Sequence, residues 1–289
     1  MKILLFGGSG QLGFEIQKRA LDLNFEVVSP FTSEVNISEE TQVLYLCSQT
    51  QPDVILNCAA YTAVDKAEEE KDLCFKINRD GARNVALGAR QTGAKLIHIS
   101  TDYVFDGEKG SPLTEDDPVN PLSVYGMSKL DGEREILKHY PDRTIIVRTS
   151  SLYGQKGVNF VRTMLDLFHS RDLVRVVNDQ VASPTWAGWL AEALLDISRM
   201  EVTGVLHAAC SGETSWFDFA KRILDWSSNL EPHPGLRLEP ISAAELGRPA
   251  RRPRYSVLDC GKLTDLLGRA PMHWEEGLKA HLREIGMLE

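Results

Sequence analysis

The sequence predicts an α/β protein with a doubly wound parallel sheet and a smaller α/β second domain. Three observations predict it: short apolar or β-branched runs recur through the first half, longer stretches of helical spacing separate them, and the first run ends in a glycine-rich turn that opens a helix. Strands alternating with helices of this length form right-handed βαβ units, which cover a parallel sheet on both faces. A chain of 289 residues suffices for one large α/β unit with an appendage.

In chain order, Lys2–Phe6, Phe25–Ser29, Asp53–Ala59, Lys95–Ser100 and Thr144–Thr149 are strand-length runs bounded by turn residues. Between them, Leu12–Leu23, Glu39–Ser48, Ala67–Gln91 and Ser128–Leu137 carry apolar residues at helical spacing. Val174–Val177 and Val205–Ala209 are two further strand candidates for the same sheet. The alternation weakens after residue 150, and Pro and Arg gather over Pro232–Arg254. Residues 1–150 therefore read as the first domain and 151–289 as mainly the second, with segments near 174–209 returning to the first sheet.

Composition excludes several functions. Lys and Arg number 32 against 41 Asp and Glu, a net charge of −9 with no basic tail, which argues against nucleic-acid binding. No run approaches the roughly 18 apolar residues of a membrane span, and the apolar N-terminus is broken by glycine too early for a signal peptide, so a cytoplasmic protein is expected. The five cysteines form no CxxC pair and read as reduced thiols, and no metal site is expected.

The turn Gly7-Gly8-Ser9-Gly10-Gln11-Leu12-Gly13 stands where a strand hands over to a helix. Gly7 permits the tight turn, Gly10 lets the backbone approach a pyrophosphate, and Gly13 lets the helix pack closely on the sheet, with its N-terminus facing the phosphates. Residues 1–150 are thus expected to bind a dinucleotide. The second strand runs into Ser29-Pro30-Phe31-Thr32 with no carboxylate before Glu34, which removes the usual support for NAD selectivity; no Arg or Lys stands there for a 2′-phosphate either. The cofactor is expected to be NADPH or NADH, with NADPH favoured only by the missing carboxylate.

Tyr125 and Lys129 lie four residues apart, hence on one helical face with an axial offset of about 6 Å. A nearby ammonium stabilises phenolate and lowers a tyrosine pKa, which fits the phenol for proton transfer. Ser100-Thr101-Asp102 ends the fourth strand at the ligand-binding edge of the sheet, where the Thr101 hydroxyl can hydrogen-bond a carbonyl oxygen as it gains charge.

At these residues the chain resembles the extended short-chain dehydrogenase/reductases with a Rossmann domain, and within them the dTDP-4-dehydrorhamnose reductase family. The likeness runs through Ile3-Leu-Leu-Phe-Gly7, Gly10-Gln-Leu-Gly13, Asn57-Cys-Ala-Ala-Tyr-Thr-Ala-Val-Asp65, Ser100-Thr-Asp-Tyr-Val-Phe105, Val124-Tyr-Gly-Met-Ser-Lys129, Asn178-Asp-Gln180 and Arg252-Pro253. The resemblance implies that Tyr125 is the proton donor, that Thr101 steadies the substrate C4 carbonyl, and that Lys129 binds the nicotinamide ribose. It implies pyrophosphate contacts from Gly10, Gln11 and Leu12, an adenine flank at Asn36 and Ile37, and a nicotinamide-ribose loop at Ala59, Ala60, Tyr61 and Thr62. Asp102, Ser151, Asn159, Phe160, Asn178, Asp179, Gln180 and Arg252 would face a dTDP-linked 4-keto-6-deoxy sugar, as would Thr101 and Tyr125.

The departures from the family are Asn36, where relatives often carry Asp, and Ser151, where a tryptophan is common. Glu15 matches one acidic position of a metal-bridged dimer seen in some members, but Gly188 stands where another would be; a monomer or homodimer without that metal is expected. A nucleotide-sugar reductase or epimerase of another kind is the nearest alternative. Dehydratases follow Thr-Asp with Glu where this chain has Tyr103. A non-catalytic regulatory subunit with the same fold, as in methionine adenosyltransferase, is the other.

Overall fold

The computed structural model describes residues 1–289. Five strands, β1 (Lys2–Phe6), β2 (Glu26–Val28), β3 (Val54–Asn57), β4 (Lys95–Thr101) and β5 (Thr144–Thr149), join Gly204–His207 in one parallel sheet. Its order is Gly204–His207, β5, β4, β3, β1, β2. The chain passes from β1 to β2 on one side and returns to β3 on the other. That reversal opens a crevice beyond the carboxyl ends of β1 and β3, the ligand-binding place in such sheets.

Strand periodicity divides the apolar side chains between the two faces. Ile3, Leu5, Leu56, Ile97, Ile145 and Val147 enter one core, shared with the helix Ala187–Ile197. Leu4, Phe6, Ile55, Leu96 and Ile146 enter the other, where Val43, Val85 and Ile136 cover them from the helices Glu40–Thr50, Ala82–Thr92 and Val124–His139. Burial on both faces explains why these strands read as continuous apolar runs.

Two sequence expectations change. The stretch Ala67–Gln91 is not one helix: short helices at Val64–Ala67 and Lys71–Phe75 lead into a π-turn at Lys76–Gly81 before Ala82–Thr92 begins. The buried Asn78 in that turn bonds to both sides of its surroundings: its Oδ1 accepts from Tyr61 N at 2.8 Å, and its Nδ2 donates to Tyr61 O at 3.0 Å and Ser128 Oγ at 2.9 Å. Asn78 thus ties the bulge to two neighbouring segments, and bulges of this kind are frequent at functional sites. The strand Leu173–Val177 does not extend the main sheet, because Gly204–His207 already occupies the edge beside β5; it pairs in parallel with Arg237–Ile241 instead.

That second pair, with the helices Phe160–Ser170 and Trp216–Trp226, forms a smaller unit over the carboxyl end of the main sheet. Val161, Met164, Phe168, Val174, Val176 and Phe219 belong to the same apolar cluster as Ile3 and Leu5.

Candidate active site

The site is built around the glycine turn. Gly7 takes φ +82°, and a Cβ there would lie 2.6 Å from Ala59 N, so the turn presses directly on the loop that follows β3. At Gly13 a Cβ would run into the Gly7 carbonyl oxygen and Gly8 Cα. The helix α1 (Gln11–Asp22) begins at Gly10 with no side-chain cap, so its first-turn N–H groups stay available to an anion. Gln11 Oε1 is buried without a partner at the same place. A cradle kept free of side chains, an uncapped helix start and an unpartnered polar atom together fit a dinucleotide pyrophosphate.

The loops flanking the crevice are fixed by their own hydrogen bonds. Ala59 N donates to Asn57 Oδ1 at 3.2 Å, Tyr61 is held by Asn78, and its hydroxyl donates to Glu70 at 2.6 Å. Asn36 Oδ1 accepts from the Ser38 N–H and hydroxyl, while Ile37 is buried and its carbonyl accepts from Asn84. After β2, Phe31 N donates to Glu34 Oε2 at 2.8 Å, and no Arg or Lys falls in residues 29–37.

The catalytic candidates converge at the carboxyl end of β4. Thr101 ends that strand and caps the turn Asp102–Val104, accepting from Tyr103 N at 3.2 Å and donating to Asp102 Oδ1 at 3.0 Å. Ser123 caps the helix Val124–His139, placing Tyr125 in its first turn with the phenol beside Thr101 and Tyr103; the two tyrosine rings meet edge to face at 5.7 Å. Lys129, one turn on, is 2% exposed and donates to Ile99 O at 2.6 Å, with His98 Nε2 3.2 Å away.

Burial raises the Tyr125 phenol, the Thr101 hydroxyl partly offsetting it, so the group is a protonated donor. The expected lowering by Lys129 is not what the protein's own groups produce, because loss of hydration outweighs every neighbour. The same burial lowers the Lys129 ammonium to about 8.

Asp102 is 2% exposed and lies beneath this group rather than facing a substrate. It accepts from Thr101 and, through Oδ2, from Ser150 Oγ at 2.9 Å. Burial raises it to about 6, with hydrogen bonds from Ser256, Ser150 and Thr101 opposing.

Tyr103 is also a wall of a cleft of about 670 Å³ lined by Phe160, Met164, Leu167, Trp216 and Leu246 on its apolar side. Its polar side carries Gln180 and five arginines, Arg175, Arg248, Arg251, Arg252 and Arg254. Arg252 grips Asp65 with both terminal nitrogens at 2.9 Å, and Arg248 reaches the same carboxylate at 3.0 Å. Asp65 follows the loop after β3 that flanks the crevice, so this fork ties the cleft to the crevice.

Of the side chains expected to face the sugar, Phe160, Gln180 and Arg252 line this cleft. Others are engaged elsewhere. Asn159 caps the helix Phe160–Ser170 through Oδ1 and donates to Gly154 O at 2.8 Å. Asp179 Oδ1 accepts from Ala243 N at 2.8 Å. Ser151 adopts φ 48° with its hydroxyl 3.3 Å from that of Ser150. Trp216, the additional arginines and Asp65 were missed as site residues; only the arginine cluster at 248–254 left a visible signal in the sequence.

Glu15 is buried and ion-paired to Arg19, which also meets Glu192 at 3.0 Å and stacks over Trp186 at 5.1 Å. A Cβ at Gly188 would run into Arg19 and Trp186, so an arginine occupies the space beside Glu15.

Comparison with known proteins shows the family of the chain. Residues 1–287 match the family described as RmlD substrate binding domain. The chain is 40% identical to the Bacillus subtilis spore coat polysaccharide biosynthesis protein SpsK, covering 98% of this chain and 97% of that one. A dTDP-4-dehydrorhamnose reductase structure from Clostridium acetobutylicum superposes with a TM-score of 0.93 at 41% identity over 99% of this chain and 100% of that one. Another from Bacillus anthracis, solved in complex with NADP, gives 0.92 at 36% identity, covering 98% and 99%. The chain thus belongs to the RmlD substrate binding domain family, the family of the dTDP-4-dehydrorhamnose reductases, which are NAD(P)-dependent oxidoreductases.

Proposed function

We propose that this protein reduces the C4 keto group of dTDP-4-dehydro-L-rhamnose to give dTDP-L-rhamnose, with NADPH or NADH as reductant and Tyr125 as proton donor. The observation that carries the reading is the convergence of Thr101, Tyr125 and Lys129 between the glycine-turn crevice and an arginine-lined cleft. When bound, the nicotinamide supplies the hydride. Gly7, Gly10, Gln11, Leu12 and Gly13 would hold its pyrophosphate, Asn36 and Ile37 its adenine, and Ala59 to Thr62 with Lys129 its nicotinamide ribose.

The chain's own groups perform the remainder. A phenol held protonated by burial gives its proton to the C4 oxygen as charge develops there. Thr101 steadies that oxygen most readily when Asp102 does not hold its hydroxyl proton, which links the pair to Asp102 ionisation near 6. The arginines suit the diphosphate, as planar donors in a partly desolvated cleft, and Phe160 and Trp216 offer aromatic surface for the base. Solution of the Bacillus anthracis relative with NADP supports NADPH as an acceptable cofactor here, and the loop after β2 carries neither a cation to require it nor a strand-end carboxylate to refuse it.

The test is loss of reduced-cofactor absorbance with dTDP-4-dehydro-L-rhamnose, run beside UDP- and GDP-linked 4-keto sugars and with each cofactor. Oxidation with the dTDP sugar alone is expected. Absence of turnover with that sugar, or equal turnover with all three nucleotides, contradicts the reading.

A further inference from the structure

A dinucleotide diphosphate is an anion, and the cradle proposed to receive it carries no cationic side chain. None falls in the glycine turn 7–13, in residues 29–37 after β2 or in residues 57–65 after β3. On α1 itself, Lys18 is ion-paired to Glu284 and Arg19 to Glu15. Lys129 is buried and donates to Ile99 O. A helix N-terminus offers only partial charge to an anion.

The segment 154–158, Gly-Gln-Lys-Gly-Val, brings a further cation to this place. It lies across the first turn of α1: a Cβ at Gly157, which takes φ +75°, would stand 3.3 Å from Gln11 Cγ, and one at Gly154 would stand 3.8 Å from Gln11 Cβ. Both ends are tied. Tyr153 pairs with Trp186, and Asn159 donates to Gly154 O at 2.8 Å while capping the helix Phe160–Ser170. Between these ties Lys156 is exposed and makes no hydrogen bond or ion pair; its Nζ rests 5.0 Å from the centre of the Phe14 ring. Gln11 and Phe14, three residues apart, share one face of α1 with an axial offset of about 4.5 Å. The ammonium therefore rests on the face that leads, one turn back, to Gln11 and the uncapped N–H groups. An exposed cation over a phenyl ring is weakly held, keeps its three donors free, and reorients on a flexible stem.

Resting on the dinucleotide reading of the glycine turn, we infer that Lys156 is a cofactor-binding residue, whose ammonium leaves the Phe14 ring and pairs with the diphosphate of bound NADPH or NADH. The backbone N–H groups orient the phosphates, and the lysine supplies the full positive charge that the cradle lacks. Because the diphosphate is common to both cofactors, this charge adds affinity without choosing between them.

Equilibrium titration of the full chain by cofactor fluorescence, with no sugar present, tests this. Lys156→Gln should raise Kd for NADPH and NADH by the same factor, about tenfold at low ionic strength, and the gap from wild type should close as salt rises. Lys156→Arg should bind nearly as wild type does. ADP-ribose, which keeps the diphosphate and lacks the nicotinamide, should lose the same factor in competition. An unchanged Kd at low salt overturns the inference. So does a loss confined to NADPH, which places the lysine at the 2′-phosphate, or a loss confined to dTDP, which places it at the sugar nucleotide. Equal, salt-independent losses in the Arg and Gln variants show a packing role and contradict it as well. A wild-type protein that binds both cofactors through Lys156 yet reduces no 4-keto sugar removes the proposed reduction and leaves this assignment standing; one that binds neither dinucleotide removes both.

Discussion

Tyr125, Lys129 and Asp102 meet where β4 ends against its facing helix, and burial shifts the protonation of each. Tyr125 is kept a phenol, Lys129 titrates near 8, and Asp102 near 6. Tyr125→Phe should retain cofactor affinity yet turn over at least about a hundredfold more slowly, measured by single-turnover kinetics, because it removes the proposed proton donor without changing the fold. Asp102 makes a different prediction. Its folded pKa is raised from 3.8 to about 6, so its contribution to stability is present at acid pH and is lost as pH rises through that window. Urea unfolding of wild type against Asp102→Asn across that range should show wild type losing on the order of 3 kcal/mol relative to the variant. A constant difference would show that Asp102 is not titrating there. The positions of Thr101, Tyr125 and Lys129 were legible because spacing and strand order suffice to place them. The buried setting of Asp102 was not, since Ser150 and Ser256, which hold it, come from remote segments.

Elements show the same division between local and distant causes. The glycine turn was readable because its demands are backbone demands: a positive φ at Gly7 and contact at Gly13 need particular residues at particular places. Gly13→Ala forces a methyl into the Gly7 carbonyl, and either α1 or the turn must shift; overpacking of this kind costs about 1–3 kcal/mol, and cofactor affinity by fluorescence titration should fall more than overall stability does. The π-turn at Lys76–Gly81 was not readable, because what bends the helix is Asn78 reaching Tyr61 and Ser128, partners 17 and 50 residues away. Likewise Val174–Val177 looks like any buried strand, and only occupation of the sheet edge by Gly204–His207 decides its partner.

At the scale of the molecule, the crevice and the arginine cleft are joined through Asp65. Its carboxylate is lowered to about 2, chiefly by Arg252, so the fork persists throughout the working pH range. Arg252→Ala should raise KM for the sugar nucleotide about tenfold or more with little change in cofactor affinity, because it removes a guanidinium proposed to meet the diphosphate and leaves Arg248 as the only side chain paired with the Asp65 carboxylate beside the cleft. An unchanged KM would place the diphosphate elsewhere. The proposed reduction at the sugar C4 is followed most closely through the transferred hydrogen itself. With dTDP-4-dehydro-L-rhamnose and reduced cofactor deuterated at the nicotinamide C4 on the transferable face, the product sugar should carry deuterium at its own C4 and nowhere else. Deuterium at another ring carbon, or a product labelled only from solvent, would contradict it.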